Sequence, residues 1–277
     1  MFEQVYPLLS QFHARHLQKN DWRNIFNVPW EAPYNLSGFA LVDNAKIVGF
    51  IGAIFSFREM NKQRVSVCNI TSWIVEKKYR KESLSLLYPI LALEAHIILN
   101  LSPSKTVYEI LMGFGFKPLD TCRYILFPLF TWSAMKSKKH LSVITHHQEI
   151  RGTISQPERA YLNDHIDYKC IHIIFKQGEE YCYLIFSLTK VMHLPFCYIL
   201  YCSNPAFFVA HSAYITFYLL TRNRRLFMII DPRILNNLKP KMCIIHKRLH
   251  PSLYKTAHGM LPPNDNLYTE DPILNHA

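Results

Sequence analysis

Residues 80 to 85, Arg-Lys-Glu-Ser-Leu-Ser, follow an apolar, β-branched run that ends at Val75. A short charged turn separates the two, and a helical pattern begins at Lys81. A strand, a basic turn and a helix N-terminus in that order make a site for an anion. The first amides of a helix have no intrahelical partner, and the helix dipole adds partial positive charge there. Arg80 and Lys81 add full charges, with Lys78 close by, and the small Ser83 and Ser85 let a phosphate approach the backbone.

Other residue types are less directive. The run Val65 to Val75 holds Asn69, Thr71 and Ser72 as its polar members and no carboxylate; Glu59 is the nearest acid, and Glu94 falls in the helical pattern. His13 with His16, and the pair His146-His147, have no cysteine or carboxylate cluster at ligand spacing, so no metal site is expected. The seven cysteines are an odd number, sit mostly in apolar runs and form no Cys-x-x-Cys. With no leader pattern, they read as reduced thiols of a cytoplasmic protein, Cys68 among them as a core thiol.

The elements that position the basic turn follow from pattern. Gly38 to Asp43 and Lys46 to Phe57 read as a hairpin around Asp43-Asn44-Ala45. Val65 to Val75 is the next strand, Lys81 to about His96 a helix, and His96 to Leu101 a short strand. Ser102 is the expected cap of a helix with Pro103 at its first position, running to Gly113. Gly115-Phe116-Lys117-Pro118-Leu119 leads into a last strand, Cys122 to Phe127. Ahead of the hairpin, Phe2 to Lys19 has helical spacing of apolar residues, and Asp21 to Trp30 suits a second short helix.

This order and the basic turn resemble the GCN5-related N-acetyltransferase (GNAT) superfamily. Its acyl-CoA motif, Gln/Arg-x-x-Gly-x-Gly/Ala, is matched by Arg80-Lys81-Glu82-Ser83-Leu84-Ser85, with serine at both glycine positions. Leu41 to Phe50 resembles the hairpin of the family, and the likeness spans about residues 1 to 130. It implies a mixed, mainly antiparallel sheet flanked by helices, the α/β (α+β) class. It also implies acetyl-CoA or another acyl-CoA as co-substrate, and transfer to an amine, small or protein-borne, by direct attack in a ternary complex. Arg80, Lys81, Glu82, Ser83, Leu84 and Ser85 would then hold the pyrophosphate, and Trp73, Ile74 and Val75 the pantetheine arm. Trp22, Phe26, Trp30 and Tyr34 would lie near the acceptor.

Acyl transfer also needs a polarised carbonyl and a route for protons. The glutamate that many family members carry on the central strand is missing, so the acceptor is expected to lose its proton to water, with Asn69 and Ser72 ordering a relay. The tyrosine position of the family is Leu111 here; Tyr108, one helical turn earlier, is the candidate acid. These departures leave a second class open, a non-catalytic binding or assembly module on the same fold.

The second half repeats the element order. Cys170 to Lys176 and Tyr181 to Leu188 are strands, then come Phe196 to Cys202, a helix capped by Asn204, and a strand from Leu226 to Ile230. Ser203-Asn204-Pro205-Ala206 stands where the basic turn would be, so this GNAT-like half (161 to 277) is expected to bind no CoA. The boundary is expected within 131 to 160, marked by the charged run Met135 to His140, and the last fifteen residues read as a mobile tail. Net charge is +11, of which +8 falls after residue 120. That balance suits an anionic partner. Its basic residues do not alternate with aromatics in a groove-like pattern, so nucleic acid is not expected. Leu84 to Leu101 and Tyr181 to Tyr201 are apolar, but proline, charge and histidine interrupt both, so no membrane span is expected.

Overall fold

The computed structural model describes residues 1–12, 17–128, 140–191, 194–256 and 259–274. The chain forms two compact units. The first comprises Met1–Leu119 with His250–Pro263 and Tyr268–Leu274; the second comprises Asp120–Leu249 with Asn264–Leu267.

In the first unit, α1 (Phe2–Leu9) and α2 (Lys19–Arg23) precede a sheet built on two tight hairpins. β1 (Gly38–Asp43) and β2 (Lys46–Met60) turn at Asn44 (φ 47°) and Ala45 (φ 61°). β2 and β3 (Gln63–Val75) turn at Asn61 (φ 50°) and Lys62 (φ 63°). Positive φ at both central residues marks the turn whose twist matches the strands it joins. β4 (Ile97–Asn100) runs parallel to β3, and β5 (Lys117–Pro118) lies at the far edge. Ile51, Phe55, Cys68, Ile70 and Leu87 centre the core under α3 (Leu87–Ala92) and α4 (Lys105–Gly113).

Between β4 and β5 stands β13 (Leu253–Thr256), antiparallel to both. The expected last strand of this unit, β6 (Cys122–Leu126), is instead in the other sheet. There it lies between β11 (Phe227–Ile230) and the edge strand β12 (Cys243–Lys247). Side chains decide the placement: Tyr124 and Leu126 of β6 are buried in the second unit's core, and Leu253 of β13 in the first unit's. The two units thus exchange equivalent strands, and neither half of the sequence closes its own sheet.

The second sheet has the order β12-β6-β11-β10-β9-β8-β7. β7 is Ser142–Ile144, β8 Cys170–Gln177, β9 Glu180–Val191 and β10 Leu194–Cys202. Antiparallel pairing holds from β7 to β10, and β10 to β11 is parallel, as β3 to β4 is in the first sheet. α5 (His147–Thr153) and α6 (Gln156–His165) precede β8. α7 (Pro205–Arg222) follows β10, with Asn204 Oδ1 accepting from the Phe207 amide at 3.0 Å, the cap read from sequence.

Three other expectations are corrected. The boundary does not fall at 131–160; the units part at Leu119/Asp120 and again near His250. The run Met135 to Lys139 lies outside the described residues. The tail is not loose over 265–274: Asn266, Leu267, Glu270 and Leu274 are each at most 1% exposed, and α8 (Glu270–Leu274) packs in the first unit. Finally, Ser104 rather than Ser102 caps α4, its Oγ accepting from the Val107 amide at 3.4 Å.

Candidate functional site in the first unit

Parallel pairing of β3 with β4 stops at Asn69/Leu99. β3 continues to Val75 without a β4 partner, so the two strands form a fork. Asn100 spans its base, Nδ2 donating to the Ile70 carbonyl at 3.1 Å. Above that point β3 bulges: two residues, Ser72 and Trp73, separate Thr71 from Ile74, against one, Ile51, between their partners Gly52 and Phe50. Ser72 sits in the bulge at φ 52°, a left-handed conformation that costs a non-glycine residue about 1–2 kcal/mol. Gly52 opposite is required, because a Cβ there would lie 2.9 Å from Thr71 Cγ2. The bulge re-aims Trp73, Ile74 and Val75.

Those three residues line a cavity of about 560 Å³ together with Arg80, Lys81, Ser83 and Leu84, and with Thr106, Val107 and Ile110 of α4. Seven of the nine expected cofactor residues therefore meet on one surface. Glu82 and Ser85 are not among its lining; Ser85 Oγ donates to the Glu82 carbonyl at 2.6 Å, and both residues are exposed. Trp73 Nε1 is buried with no hydrogen-bond partner. A buried indole N–H without an acceptor is a cost that a ligand carbonyl would remove.

The helix expected from Lys81 to His96 differs in kind. Lys77–Leu86 is a 3₁₀ helix, and only Leu87–Ala92 is α-helical, ending where Leu93 turns extended. Basic residues at 77, 78, 80 and 81 repel one another at helical spacing, and Tyr79 Oη is tied to Asp43 Oδ2 in the first hairpin turn. Interior amides of a 3₁₀ helix are spent on carbonyls three residues back. The amides of Lys81 to Ser85 are therefore not the free donors of a helix N-terminus. What this turn offers an anion is the exposed cations of Arg80 and Lys81 and the Ser83 hydroxyl.

The expected catalytic residues are more dispersed. Asn69 is fully buried, and its Oδ1 accepts from the Glu270 amide at 3.0 Å. Ser72 lies on the bulge, its Oγ 3.2 Å from Thr71 Oγ1. Tyr108 does not line the cavity; its ring lies 5.9 Å from that of His250. Leu111 is buried in the core. Glu59 and Glu94 are exposed and stand off the cavity. Burial pushes the Cys68 thiol up, as befits a core thiol. A second cavity of about 200 Å³ is lined by Phe26, Trp30, Tyr34 and Phe55. Trp22 is not part of it and stacks on Phe12 at 5.6 Å.

Sequence reasoning missed Glu270. It is 1% exposed, and its Oε1 accepts from Ser102 Oγ at 2.9 Å. Its approach to Asn69 and Ser102, 201 and 168 residues away, left no local signal. Among the described residues, no three or more His, Cys, Asp or Glu gather to hold a metal. His13 and His16 lie outside them, and the His147 ring stands 5.8 Å from that of His172. Among the described residues no helix is long and apolar enough to cross a membrane.

No family model matches the sequence. No curated protein matches it either. Solved structures do resemble it. A GCN5-related N-acetyltransferase from Anabaena variabilis aligns over 92% of this chain and 70% of its own, with TM-score 0.54 and 13% identity. A conserved protein of unknown function from Enterococcus faecalis, described as a probable N-acyltransferase, aligns over 92% and 69%, with TM-score 0.53 and 8% identity. The fold is that of the GCN5-related N-acetyltransferases. At such identities the likeness is one of fold.

Proposed function

We propose that the first unit transfers an acyl group from an acyl-CoA thioester to an amine. One observation carries this reading: Trp73, Ile74, Val75, Arg80, Lys81, Ser83 and Leu84 converge on one cavity at the fork between β3 and β4. The residues suit the parts of CoA. Arg80, Lys81 and Ser83 offer two cations and a hydroxyl to a pyrophosphate. Trp73 Nε1 offers a buried donor to an amide or thioester carbonyl. The edge of β3 beyond Asn69, which has no β4 partner, offers backbone groups to an extended arm. Bound there, acyl-CoA would supply the activated carbonyl carbon. The aromatic cavity around Phe26, Trp30 and Tyr34 is the proposed acceptor side, and its lining carries no charge.

The second unit holds Ser155, Glu158, Glu179, Glu180 and Asn204 around the turn after β10, with no basic residue in that lining. Its chemistry opposes a pyrophosphate, in keeping with a single CoA site in the first unit. Calorimetry with acetyl-CoA tests the reading. Wild-type protein is expected to bind, and Ser83→Glu to bind at least tenfold more weakly, about 1.4 kcal/mol, because a carboxylate would meet the phosphates. Equal affinity in the variant would move the cofactor away from this turn.

A further inference from the structure

Most of the chain's positive charge lies in its second half, +8 of +11 falling after residue 120. Part of it gathers at one end of the second unit's sheet. β6 pairs Leu126 with Met228 of β11 and with Cys243 of β12. The next position outward sets Phe127 beside Phe227, ring centroids 6.3 Å apart, and beside Met242. Across β11, the Leu226 amide donates to the Pro195 carbonyl at 3.0 Å, next to Leu194 at the start of β10. Four neighbouring strands, β12, β6, β11 and β10, therefore end together.

Each of those ends carries an exposed apolar side chain: Met242 at 53%, Phe127 at 40%, Leu226 at 51% and Leu194 at 50%. Neighbouring strands lie about 4.8 Å apart, so the row is roughly 14 Å long. One step inward, the rings of Phe196 and Phe227 stack with centroids 5.4 Å apart. Lys190 stands opposite Pro195, Arg224 and Arg225 precede Leu226, and Lys241 precedes Met242. Lys190, Arg224 and Lys241 are exposed and Arg225 is half-buried. No Asp or Glu lies within two residues of any of the four apolar tips.

We propose that this end of the second unit docks reversibly on an anionic lipid bilayer, an inference that does not depend on the acyl-transfer reading. Single exposed apolar residues are ordinary, but a contiguous row rimmed by charge marks an interaction surface. Cations without neighbouring carboxylates call for an anionic partner. The tips choose among such partners. Three of the four are leucine or methionine, which do not stack on bases as aromatic platforms do. A second copy of the chain would bring like charges together. A bilayer needs no matching groove to receive a projecting row. The tips enter the boundary between headgroups and acyl chains, and the cations stay among anionic headgroups. Shallow insertion and charge attraction are each weak alone, which makes the docking reversible and dependent on both.

Flotation of the full chain tests this, with vesicles of phosphatidylcholine alone or with about one part in four of phosphatidylserine. Wild type is expected on the serine-lipid vesicles, about tenfold or more tighter than on phosphatidylcholine, and to be released as salt rises. Leu226→Ser with Met242→Ser, and separately Arg224→Glu with Lys241→Glu, should each weaken vesicle binding about tenfold or more. Leu249→Ser removes a side chain 92% exposed beyond the opposite end of β12 and should change nothing. Thermal unfolding checks that each variant is folded; the four altered side chains are exposed, and either pair carries the test if the other fails to fold. A wild type that ignores both vesicles would overturn the proposal. So would full vesicle binding by either folded pair variant, or an equal loss in Leu249→Ser. Binding of oligothymidylate without vesicle binding would give the surface to nucleic acid instead. Dimers that the pair variants dissolve, again without vesicle binding, would give it to a second copy.

Discussion

Arg123 Nε lies 3.2 Å from Asp231 Oδ1, and the pair joins the exchanged strand β6 to the end of β11. Asp231 is 1% exposed. It also accepts from Tyr198 Oη at 2.5 Å and stands 3.7 Å from Arg248 Nη1. Burial pushes its carboxyl up, but Arg123, Arg248 and Arg233 outweigh that and hold it below the ordinary range. Breaking a buried pair from one side leaves uncompensated charge, at about 3–5 kcal/mol. Asp231→Asn is expected to cost that much in urea unfolding followed through the second unit. The acid dependence has a definite sign. A carboxyl lowered in the folded state contributes stability above its unfolded value of about 3.9. That contribution is lost as pH falls below it, so the acid limb of the stability curve below about pH 4 should flatten in Asp231→Asn.

His172 acts in a different window. Burial pushes its imidazole down to about 4, with His165 and His147 adding like charge. Its Nδ1 lies 2.7 Å from Tyr183 Oη, and its Nε2 is buried without a partner. Protonation is disfavoured in the folded state, so the contribution is complete above the unfolded value of about 6.5. It is lost as pH falls from there toward about 4. The full effect is on the order of 3 kcal/mol. His172→Phe should remove the slope between those two pH values in equilibrium unfolding and leave the Asp231 limb below them. An unchanged slope would mean that His172 is protonated in the fold.

Local chemistry was readable where it decides local structure. Asn44-Ala45 specified a hairpin, Asn204-Pro205 a helix start, and the apolar run Tyr181 to Leu188 a strand, and all three stand. Residues whose neighbours are distant were not readable. β6 alternates buried Tyr124 and Leu126 with more exposed residues, a pattern that either sheet would accept. Which sheet it joins depends on Leu253 to Thr256, too short and polar to announce itself as a strand. Glu270 and Asp271 look like a solvated tail in sequence and are buried only because Asn69, Ser102 and their surroundings receive them. At the basic turn most of the residues singled out line one cavity, while like-charge crowding changed the helix type beneath them.

The proposed CoA site at that turn offers an anion exposed side chains rather than helix amides, which sets the response to salt it should show. Arg80 and Lys81 are both exposed, so their attraction for phosphates is screened over about 8–10 Å at physiological ionic strength. Acetyl-CoA affinity should weaken steadily as salt rises. Arg80→Gln should bind more weakly at low salt and show a shallower salt dependence than wild type. Dephospho-CoA and CoA titrated at two salt concentrations would check this. A salt-independent affinity would place recognition on neutral groups instead.

Trp73 gives the sharpest separation of binding from stability. Its ring packs against the first unit's core and lines the cavity, while Nε1 is buried and unpartnered. Trp73→Phe keeps most of the apolar surface and deletes the N–H. In the free protein the deleted group bonds to nothing, so the lost packing is offset by relief of a buried donor worth about 1–3 kcal/mol. Chemical denaturation should therefore show little net loss of stability. In the proposed complex the same group would donate to a ligand carbonyl, a hydrogen bond contributing about 0.5–1.5 kcal/mol. Acetyl-CoA should bind about three- to tenfold more weakly. A variant that lost stability and kept its affinity would assign Trp73 to packing alone and remove the indole from the site.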